Sequence, residues 1–274
     1  MKPEEWEKLL LGATERVQDR ISTIARSGEK GKFVGIGASG DRTLLADRVA
    51  EDELMKTVLG VRGTKVLSEE AGFRGEEGAD TLAVVDPLDG SSNFARGIPF
   101  YCTSVAVVEG NSIEDIVVGV VRDLVTGDVY HAVRGRGAKK NGAPVRASRV
   151  NDVSRAVIGI DISRGSSELV ARLGPLIGAA GRQVHFGANA LELSRVSDGT
   201  IDAFVDVRGK IRITDLAAAQ LVAAEGGGVI SDAQGRELEA VFDLEHRLSF
   251  VASANVRLHR EILRLCGPSS PKGR

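Results

Sequence analysis

Two aspartates three residues apart carry the strongest chemical signal in this sequence. Asp86 and Asp89 belong to the stretch Asp-Pro-Leu-Asp-Gly-Ser-Ser-Asn-Phe, which spans residues 86–94. Two carboxylates held on one tight turn repel each other unless a proton or a cation lies between them. Carboxylate oxygens are the ligands that Mg²⁺ prefers. The pair therefore predicts a divalent cation site, although a loop with an Asx-turn and no chemistry would use the same residue types.

The residues after the second aspartate predict an anion site beside the cation site. Gly90 allows the backbone to approach a ligand closely, and Ser91 and Ser92 are favoured N-cap residues for a short helical turn. Free N–H groups at the start of such a turn can bind a phosphate. Hard oxygen ligands next to N–H donors suit Mg²⁺ together with a phosphoryl group.

A buried strand should bring these residues to the site. Thr81–Val85 is a short apolar run with β-branched residues, which is typical of a buried strand. Pro87 cannot donate a hydrogen bond to a neighbouring strand, so we expect the strand to stop there. Open α/β sheets bind ligands at the carboxyl ends of their strands. We therefore expect Asp86 to lie at a ligand site.

The motif at residues 86–94 resembles the Asp-Pro-(Leu/Ile)-Asp-Gly-(Thr/Ser)-x-Asn-Phe signature of the inositol monophosphatase family, which are Mg²⁺-dependent, lithium-sensitive phosphatases. Two further segments are similar to that family in the same order. Ser68–Gly72 resembles its Gly-Glu-Glu segment, with Ser in place of the usual Gly. Ile213–Asp215 precedes an Ala-rich helix that is closed by three glycines. The resemblance covers about residues 6–265.

The resemblance implies a metal centre with two or three Mg²⁺ ions per subunit, for which Mn²⁺ can substitute. Water activated at this centre would attack the phosphorus directly, without a phospho-enzyme. The metal ligands that the resemblance implies are Glu69, Asp86, the Leu88 carbonyl, Asp89 and Asp215.

The resemblance also implies three catalytic side chains, Asp47, Ser91 and Glu70. Asp47 would hydrogen-bond Ser91 and help to activate the water, while Glu70 would support the metal ligands. Ser91 replaces the commoner Thr and keeps the hydroxyl. Asp47 is also explained as a first-turn acid of a helix without catalytic function. The phosphate would lie against the backbone N–H groups of Gly90, Ser91 and Ser92.

Basic residues before the last metal ligand indicate the substrate. Segment Asp206–Asp215 departs from the usual inositol monophosphatase pattern and resembles archaeal enzymes that cleave both fructose 1,6-bisphosphate and inositol 1-phosphate. We predict that the 1-phosphate is cleaved while Arg208, Lys210 or Arg164 holds the 6-phosphate, since Arg suits bidentate phosphate binding. These residues could instead be solvated neighbours of an acidic site. The predicted substrate-binding residues are Arg164, Ala188, Asp206, Arg208 and Lys210.

Three alternatives to the dual activity stay open. The chain could be a monofunctional inositol monophosphatase or a 3′-phosphoadenosine 5′-phosphate phosphatase. It could also be a non-catalytic relative that binds a partner, although every metal-ligand position is filled.

Composition excludes several other classes. The chain has 274 residues, of which 42% are hydrophobic and 27% charged, as in soluble globular proteins. A net charge of −2 and only 4% aromatic residues argue against nucleic-acid and membrane partners. Cys102 and Cys266 lie far apart, which fits a reducing compartment. We predict that the protein is cytoplasmic and forms a homodimer or homotetramer. We also predict that it acts in carbohydrate metabolism, in gluconeogenesis.

The fold that the resemblance implies is α/β with an α+β N-terminal half, in a layered αβαβα sandwich of the sugar phosphatase type. A first helix, an antiparallel meander and then alternating elements agree with it. We predict a metal- and phosphate-binding domain over residues 1–150, an α/β domain over 151–266 and a disordered tail over 267–274.

Two local patterns complete the prediction. Gly35–Gly40 formally matches the dinucleotide-binding fingerprint, but a helix precedes it and no strand–helix–strand unit begins there. A mobile glycine-rich loop near an active site is the better interpretation. Asn141-Gly142 predicts a two-residue hairpin turn at the end of the meander.

Overall fold

The structure is a computed structural model that describes residues 1–267 of the chain. The tail predicted over 267–274 therefore lies outside the described residues, except for Gly267. The helices of the described part are α1 (Pro3–Ser27), α2 (Leu45–Val58), α3 (Ser91–Arg96), α4 (Ser167–Ala179), α5 (Asn189–Ser194), α6 (Ile213–Glu225) and α7 (Val256–Cys266). No helix within residues 1–267 is long and apolar enough to cross a membrane.

An eight-stranded sheet forms the larger of two packed sheets. Its spatial order is β10-β9-β8-β7-β6-β5-β3-β4, and only β3 and β5 pair in parallel. The strands from β6 to β9 form the predicted antiparallel meander. The strands are β3 (Thr64–Ser68), β4 (Gly72–Gly75), β5 (Thr81–Asp89), β6 (Cys102–Val108), β7 (Ile116–Asp123), β8 (Val129–Val133), β9 (Ala138–Lys140) and β10 (Ala143–Pro144).

The turn between β9 and β10 is the predicted two-residue hairpin. Asn141 and Gly142 have φ values of 53° and 80°, and Lys140 pairs with Ala143 across the turn. Asn and Gly are the residues that adopt two successive positive φ angles at low cost. The Asn141-Gly142 prediction is therefore confirmed.

A second sheet of five strands has the order β12-β11-β13-β15-β14. Its strand β11 pairs in parallel with β12 and β13, and the remaining pairs are antiparallel. The strands are β11 (Val157–Ile160), β12 (Arg182–Val184), β13 (Ala203–Ile211), β14 (Val229–Ser231) and β15 (Leu248–Ser253). A small hairpin, β1 (Phe33–Ile36) with β2 (Arg42–Leu44), lies outside both sheets.

Five layers result from the way these elements bury their apolar faces. Helices α1 and α2 cover one face of the large sheet, α5 and α6 fill the space between the sheets, and α4 and α7 cover the outer face of the second sheet. This arrangement confirms the predicted αβαβα sandwich. The core between the sheets contains residues from both sides of position 150, and the domain boundary there stays a prediction.

Strand β5 differs from the prediction at Pro87. The strand does not stop there but continues to Asp89, with an irregularity in its pairing to β6 between the pairs Asp86–Ser104 and Asp89–Cys102. A proline lacks the N–H that a regular ladder needs, and an irregularity of this kind accommodates it. Strand β5 thus has one residue more than β6 between these two pairs, so both aspartates lie within the strand.

The start of α3 also differs from the prediction. Ser91 and Ser92 are the first two residues of the helix, and Gly90 is the N-cap, with a φ of 85°. A Cβ atom at Gly90 would lie 3.0 Å from the Phe100 carbonyl oxygen and 3.1 Å from Ala188 Cβ. Both the positive φ and the close packing therefore require glycine at this position.

Candidate metal centre and active site

Three carboxylates from separate elements converge on one point. Glu69, Asp86 and Asp215 each offer an oxygen atom, and these atoms all lie within 4.8 Å of one another. The parallel pairing of β3 with β5 places Ser68 beside Val85, so the acids that follow these two residues are neighbours. Asp215 reaches the same point from the first turn of α6. The structure thus brings together three of the predicted metal ligands.

The other two predicted ligands line the same cavity. The backbone N–H of Leu88 donates to Asp86 Oδ1 at 3.1 Å, which stabilises the turn that follows Asp86. Asp89 Oδ2 accepts a hydrogen bond from the Ala190 N–H at 2.7 Å, and the Cys102 thiol lies 3.6 Å from the same oxygen. Asp89 therefore connects the end of β5 to helix α5.

The carboxylate cluster is electrostatically unfavourable without a cation. Burial raises the pKa of the Glu69 carboxyl well above its usual range, and repulsion from Asp215 adds to the rise. Burial and repulsion from Glu69 and Asp89 raise the pKa of Asp86 in the same way. Burial and repulsion from Asp215 raise the pKa of Asp89 to about 8. A divalent cation removes this repulsion, and the all-oxygen donor set fits Mg²⁺ or Mn²⁺.

Asp47 and Glu70 lie beside the cluster. Asp47 Oδ2 accepts a hydrogen bond from the Leu44 N–H at 2.6 Å, as a first-turn acid of α2 does, and burial raises the pKa of Asp47 to about 7. Glu70 accepts a hydrogen bond from the Thr43 hydroxyl. Within residues 1–267 no hydrogen bond joins Asp47 to Ser91, so the predicted contact between them is not formed in this structure.

The start of α3 opens onto the cavity next to Asp89. The first hydrogen bond of the helix runs from the Phe94 N–H to the Gly90 carbonyl oxygen at 3.0 Å. The N–H groups of Ser91 and Ser92 precede this bond and therefore have no acceptor within the helix. Gly90, Ser91 and Ser92 all line the cavity that contains the carboxylates.

Arg208 lines the cavity, and Asp206 lies buried behind it. Arg208 was predicted to hold a substrate phosphate; its side chain is only 8% exposed, and its guanidinium forms ion pairs with Asp161 and Asp206. It also donates to the Ser163 hydroxyl at 2.8 Å. Asp206 was predicted to contact substrate, but it is fully buried against this guanidinium. Two carboxylates already neutralise Arg208, and Asp206 supports Arg208 instead of facing the cavity.

The predicted cations Arg164 and Lys210 lie on the exposed rim of the cavity. Lys210 Nζ donates to the Arg164 carbonyl oxygen at 2.6 Å, which holds the two residues together. Arg247 lines the same cavity, whose volume is about 860 Å³, and was not predicted. Ala188 is fully buried against Gly90 and is not among the residues that line the cavity, and its role in substrate binding stays a prediction.

Two further cavity residues escaped the prediction. His185 lies 3.4 Å from Asp161 and 3.2 Å from Glu192, and burial opposed by these carboxylates leaves the pKa of His185 raised. Arg212 donates to Glu69 Oε1 at 2.7 Å and also pairs with Asp41. The basic run before Asp215 was the available signal for Arg212, but its spacing does not show which of the basic side chains turns towards the acids.

Comparisons with known proteins agree with this geometry. A family model described as "Inositol monophosphatase family" matches residues 5–267. A fructose-1,6-bisphosphatase/inositol-1-monophosphatase from Methanothermobacter thermautotrophicus is 34% identical over 270 residues, which cover 94% of this chain and 95% of that protein. A bifunctional NADP phosphatase/NAD kinase from Methanococcus maripaludis is 28% identical over 283 residues, covering 95% of this chain and 49% of that protein.

A comparison of this structure with solved structures agrees with the family match. The crystal structure of an inositol monophosphatase-fructose 1,6 bisphosphatase superposes with a TM-score of 0.84 at 29% sequence identity. The superposition covers 97% of this chain and 100% of that one.

Proposed function

Because this chain belongs to the inositol monophosphatase family and is therefore a phosphoric monoester hydrolase, we propose that it cleaves fructose 1,6-bisphosphate and inositol 1-phosphate. The observation that carries the proposal is the cavity that contains Glu69, Asp86 and Asp215 together with the start of α3 and a cationic rim. Such a cavity offers a metal site, a place for the reacting phosphate and counter-charges for a second phosphate. The relative from Methanothermobacter thermautotrophicus bears the name of both activities.

Two or three Mg²⁺ ions, or Mn²⁺ in their place, would be held by Glu69, Asp86, the Leu88 carbonyl, Asp89 and Asp215. When bound, these ions supply Lewis-acid activation of water and charge stabilisation of the leaving oxygen. The clustering of carboxylates with raised pKa values supports this assignment, because their repulsion is relieved only by protons or cations.

The residues of α3 would bind the phosphate that is cleaved. Gly90, Ser91 and Ser92 line the cavity, and their N–H groups would donate to phosphate oxygens, on which negative charge persists through the reaction. The Ser91 hydroxyl would orient the attacking water. Asp47 would take the proton of this water, because a pKa of about 7 suits a proton acceptor near neutral pH. Glu70 would keep the neighbouring Thr43 hydroxyl in place.

The rim cations would determine how a second phosphate is held. Because Arg208 is neutralised by Asp161 and Asp206, we assign the 6-phosphate of fructose 1,6-bisphosphate to Arg164 and Lys210 instead. Both side chains are exposed, and within the described residues neither takes part in an ion pair with a carboxylate. Inositol 1-phosphate has no second phosphate and would not use them.

Substitution of the rim cations tests this substrate assignment. Arg164 has a φ of 53°, so Asn is the suitable replacement, and Lys210→Met keeps the length of the side chain. The double variant Arg164→Asn/Lys210→Met should raise KM for fructose 1,6-bisphosphate by roughly 10- to 100-fold, which is the usual value of charge-assisted hydrogen bonds. KM for inositol 1-phosphate should stay within about twofold, since that substrate lacks the second phosphate.

Arg236→Ala is the matched control, because Arg236 is a surface arginine paired with Asp232 outside this cavity. Steady-state phosphate release with both substrates is the measurement. Equal losses on the two substrates would contradict the assignment of the 6-phosphate to Arg164 and Lys210, and release from inositol 1-phosphate alone would favour a monofunctional inositol monophosphatase. The same assay should include NADP and 3′-phosphoadenosine 5′-phosphate, since the Methanococcus maripaludis relative is named as an NADP phosphatase. Release from none of these substrates would favour the non-catalytic binding relative.

A further inference from the structure

The guanidinium of Arg212 lies between the metal-ligand cluster and the loop that joins β1 to β2. Its Nη1 donates to Glu69 Oε1 at 2.7 Å, and its Nη2 pairs with Asp41 of the loop. Arg212 is also the N-cap residue of α6, and its backbone N–H donates to Asp215 Oδ2 at 3.2 Å. One residue therefore contacts two of the clustered carboxylates and the loop at the same time.

The loop lies directly on the segment that carries Glu69 and Glu70. The Ala38 N–H donates to the Glu70 carbonyl oxygen at 2.7 Å, and the Ser39 N–H donates to the Glu69 carbonyl oxygen at 3.1 Å. A Cβ atom at Gly37 would clash with Glu70 Oε2. These contacts hold the loop to its own half of the chain. Within residues 1–267, the pair of Asp41 with Arg212 is the ion pair that joins the loop to α6.

The guanidinium of Arg212 also affects Glu69 through its positive charge. Eight acidic residues and six arginine or lysine residues line the cavity, so carboxylates outnumber cations there. The acidic residues are Asp41, Asp47, Glu69, Glu70, Asp86, Asp89, Asp161 and Asp215. Arg212 is the cation in contact with Glu69, and Arg208 is paired elsewhere. Arginine keeps its charge at any accessible pH, so it competes permanently with a metal ion for Glu69.

We propose that Arg212 is a positioning residue that supplies a fixed positive charge to Glu69 and, through Asp41, holds the β1–β2 loop against the metal centre. The inference rests on the metal site of the proposed function. Arg212 would thereby weaken the binding of one divalent ion and keep the loop closed when that ion is absent. Two properties should then change when it is replaced, namely the affinity for metal and the accessibility of the loop.

Binding of Mn²⁺ alone, followed by electron paramagnetic resonance of the free ion, tests the charge effect without substrate. Arg212→Gln should bind its weakest Mn²⁺ about tenfold more tightly than the parent, because a competing unit charge next to Glu69 is removed. Arg212→Lys keeps the charge and should bind as the parent does. If Arg212→Gln shows the Mn²⁺ isotherm of the parent, the charge effect is refuted.

Limited trypsin digestion without metal tests the loop contact. Cleavage after the exposed Arg42, which follows Asp41, should become about two- to fivefold faster in Arg212→Gln, as expected for the loss of a partly exposed ion pair. Asp41→Asn removes the same pair and leaves the Arg212 contact with Glu69 intact. It should accelerate cleavage equally without any gain in Mn²⁺ affinity. Parent-like cleavage in Asp41→Asn would overturn the loop contact even if Arg212→Gln failed to fold.

The two experiments separate this inference from the proposed function. Absence of Mn²⁺ binding by the parent protein would contradict the metal site itself. Normal binding by the parent, with no difference in the Arg212 variants, would contradict only the role assigned to Arg212. Arg236→Ala, which changes a surface arginine outside the cavity, should leave both readouts unchanged.

Discussion

Asp86→Asn is expected to lower kcat/KM for fructose 1,6-bisphosphate by about 10³-fold or more at saturating Mg²⁺, since a ligand charge that supports Lewis-acid catalysis is lost. Asp86 is 1% exposed and shares the cluster with Glu69 and Asp215. Asn has nearly the same shape, and its oxygen can still accept the hydrogen bond from the Leu88 N–H. The change therefore removes charge while the turn is kept, and phosphate release measures its effect.

The matched control is Asp19→Asn, which makes the same chemical change on the exposed side of α1. That variant should keep the activity of the parent. The melting temperature of Asp86→Asn without metal should be no lower than that of the parent, because one repelling carboxylate has been removed. Near-normal turnover by a folded Asp86→Asn protein would refute the assignment of this cluster as the metal centre.

Ser91→Ala is expected to lower kcat by roughly 10²–10⁴-fold, the usual span for one positioned acid–base group. Ser91 is the first residue of α3 and lines the cavity beside Asp89. Ser91→Thr should restore most of the rate, because the hydroxyl is kept and Thr is the commoner residue of the motif at this position. KM should change little in either variant, since the backbone N–H groups that bind phosphate are unaffected.

Ser92→Ala serves as the control, because the neighbouring hydroxyl has no catalytic assignment. Asp47→Asn should resemble Ser91→Ala if the two side chains act on one water molecule, although they are not hydrogen-bonded to each other in this structure. Full activity of Ser91→Ala would show that its hydroxyl does not orient the water. In that case Asp47 alone would remain as the proton acceptor.

The layers of the fold, which the family resemblance implies, were predicted better than the path of the chain at the active site. The meander and the Asn141-Gly142 turn follow from local patterns, so they could be predicted residue by residue. Pro87 was expected to end its strand because proline cannot donate to a ladder. Strand β5 nevertheless continues past Pro87, where Asp89 pairs with Cys102 of the neighbouring strand β6. This pairing depends on an irregularity in the register of the two strands. Such an irregularity is a property of the pair of strands and has no local signal.

The basic residues of β13 illustrate a similar limit. Asp206 and Arg208 are two residues apart, so in a strand both lie on the same face, and their hydrogen bond of 2.9 Å could have been anticipated. The second partner of Arg208 is Asp161, which follows the neighbouring strand β11. That neighbour becomes known only when the order of the strands is known. For the same reason Arg212 could not be recognised as the partner of Glu69 and Asp41.

The most direct measurement of the central claim is phosphate release from fructose 1,6-bisphosphate by the unchanged protein as Mg²⁺ is titrated. We predict no release in excess EDTA and full recovery on addition of Mg²⁺. Burial and repulsion from Asp215 raise the pKa of Asp89 to about 8, so below that pH Mg²⁺ must displace a proton from this carboxyl. Half-maximal release should therefore need less Mg²⁺ at about pH 8.5 than at about pH 6.5, by about tenfold per pH unit for each proton displaced. Release that persists unchanged in EDTA would contradict the account.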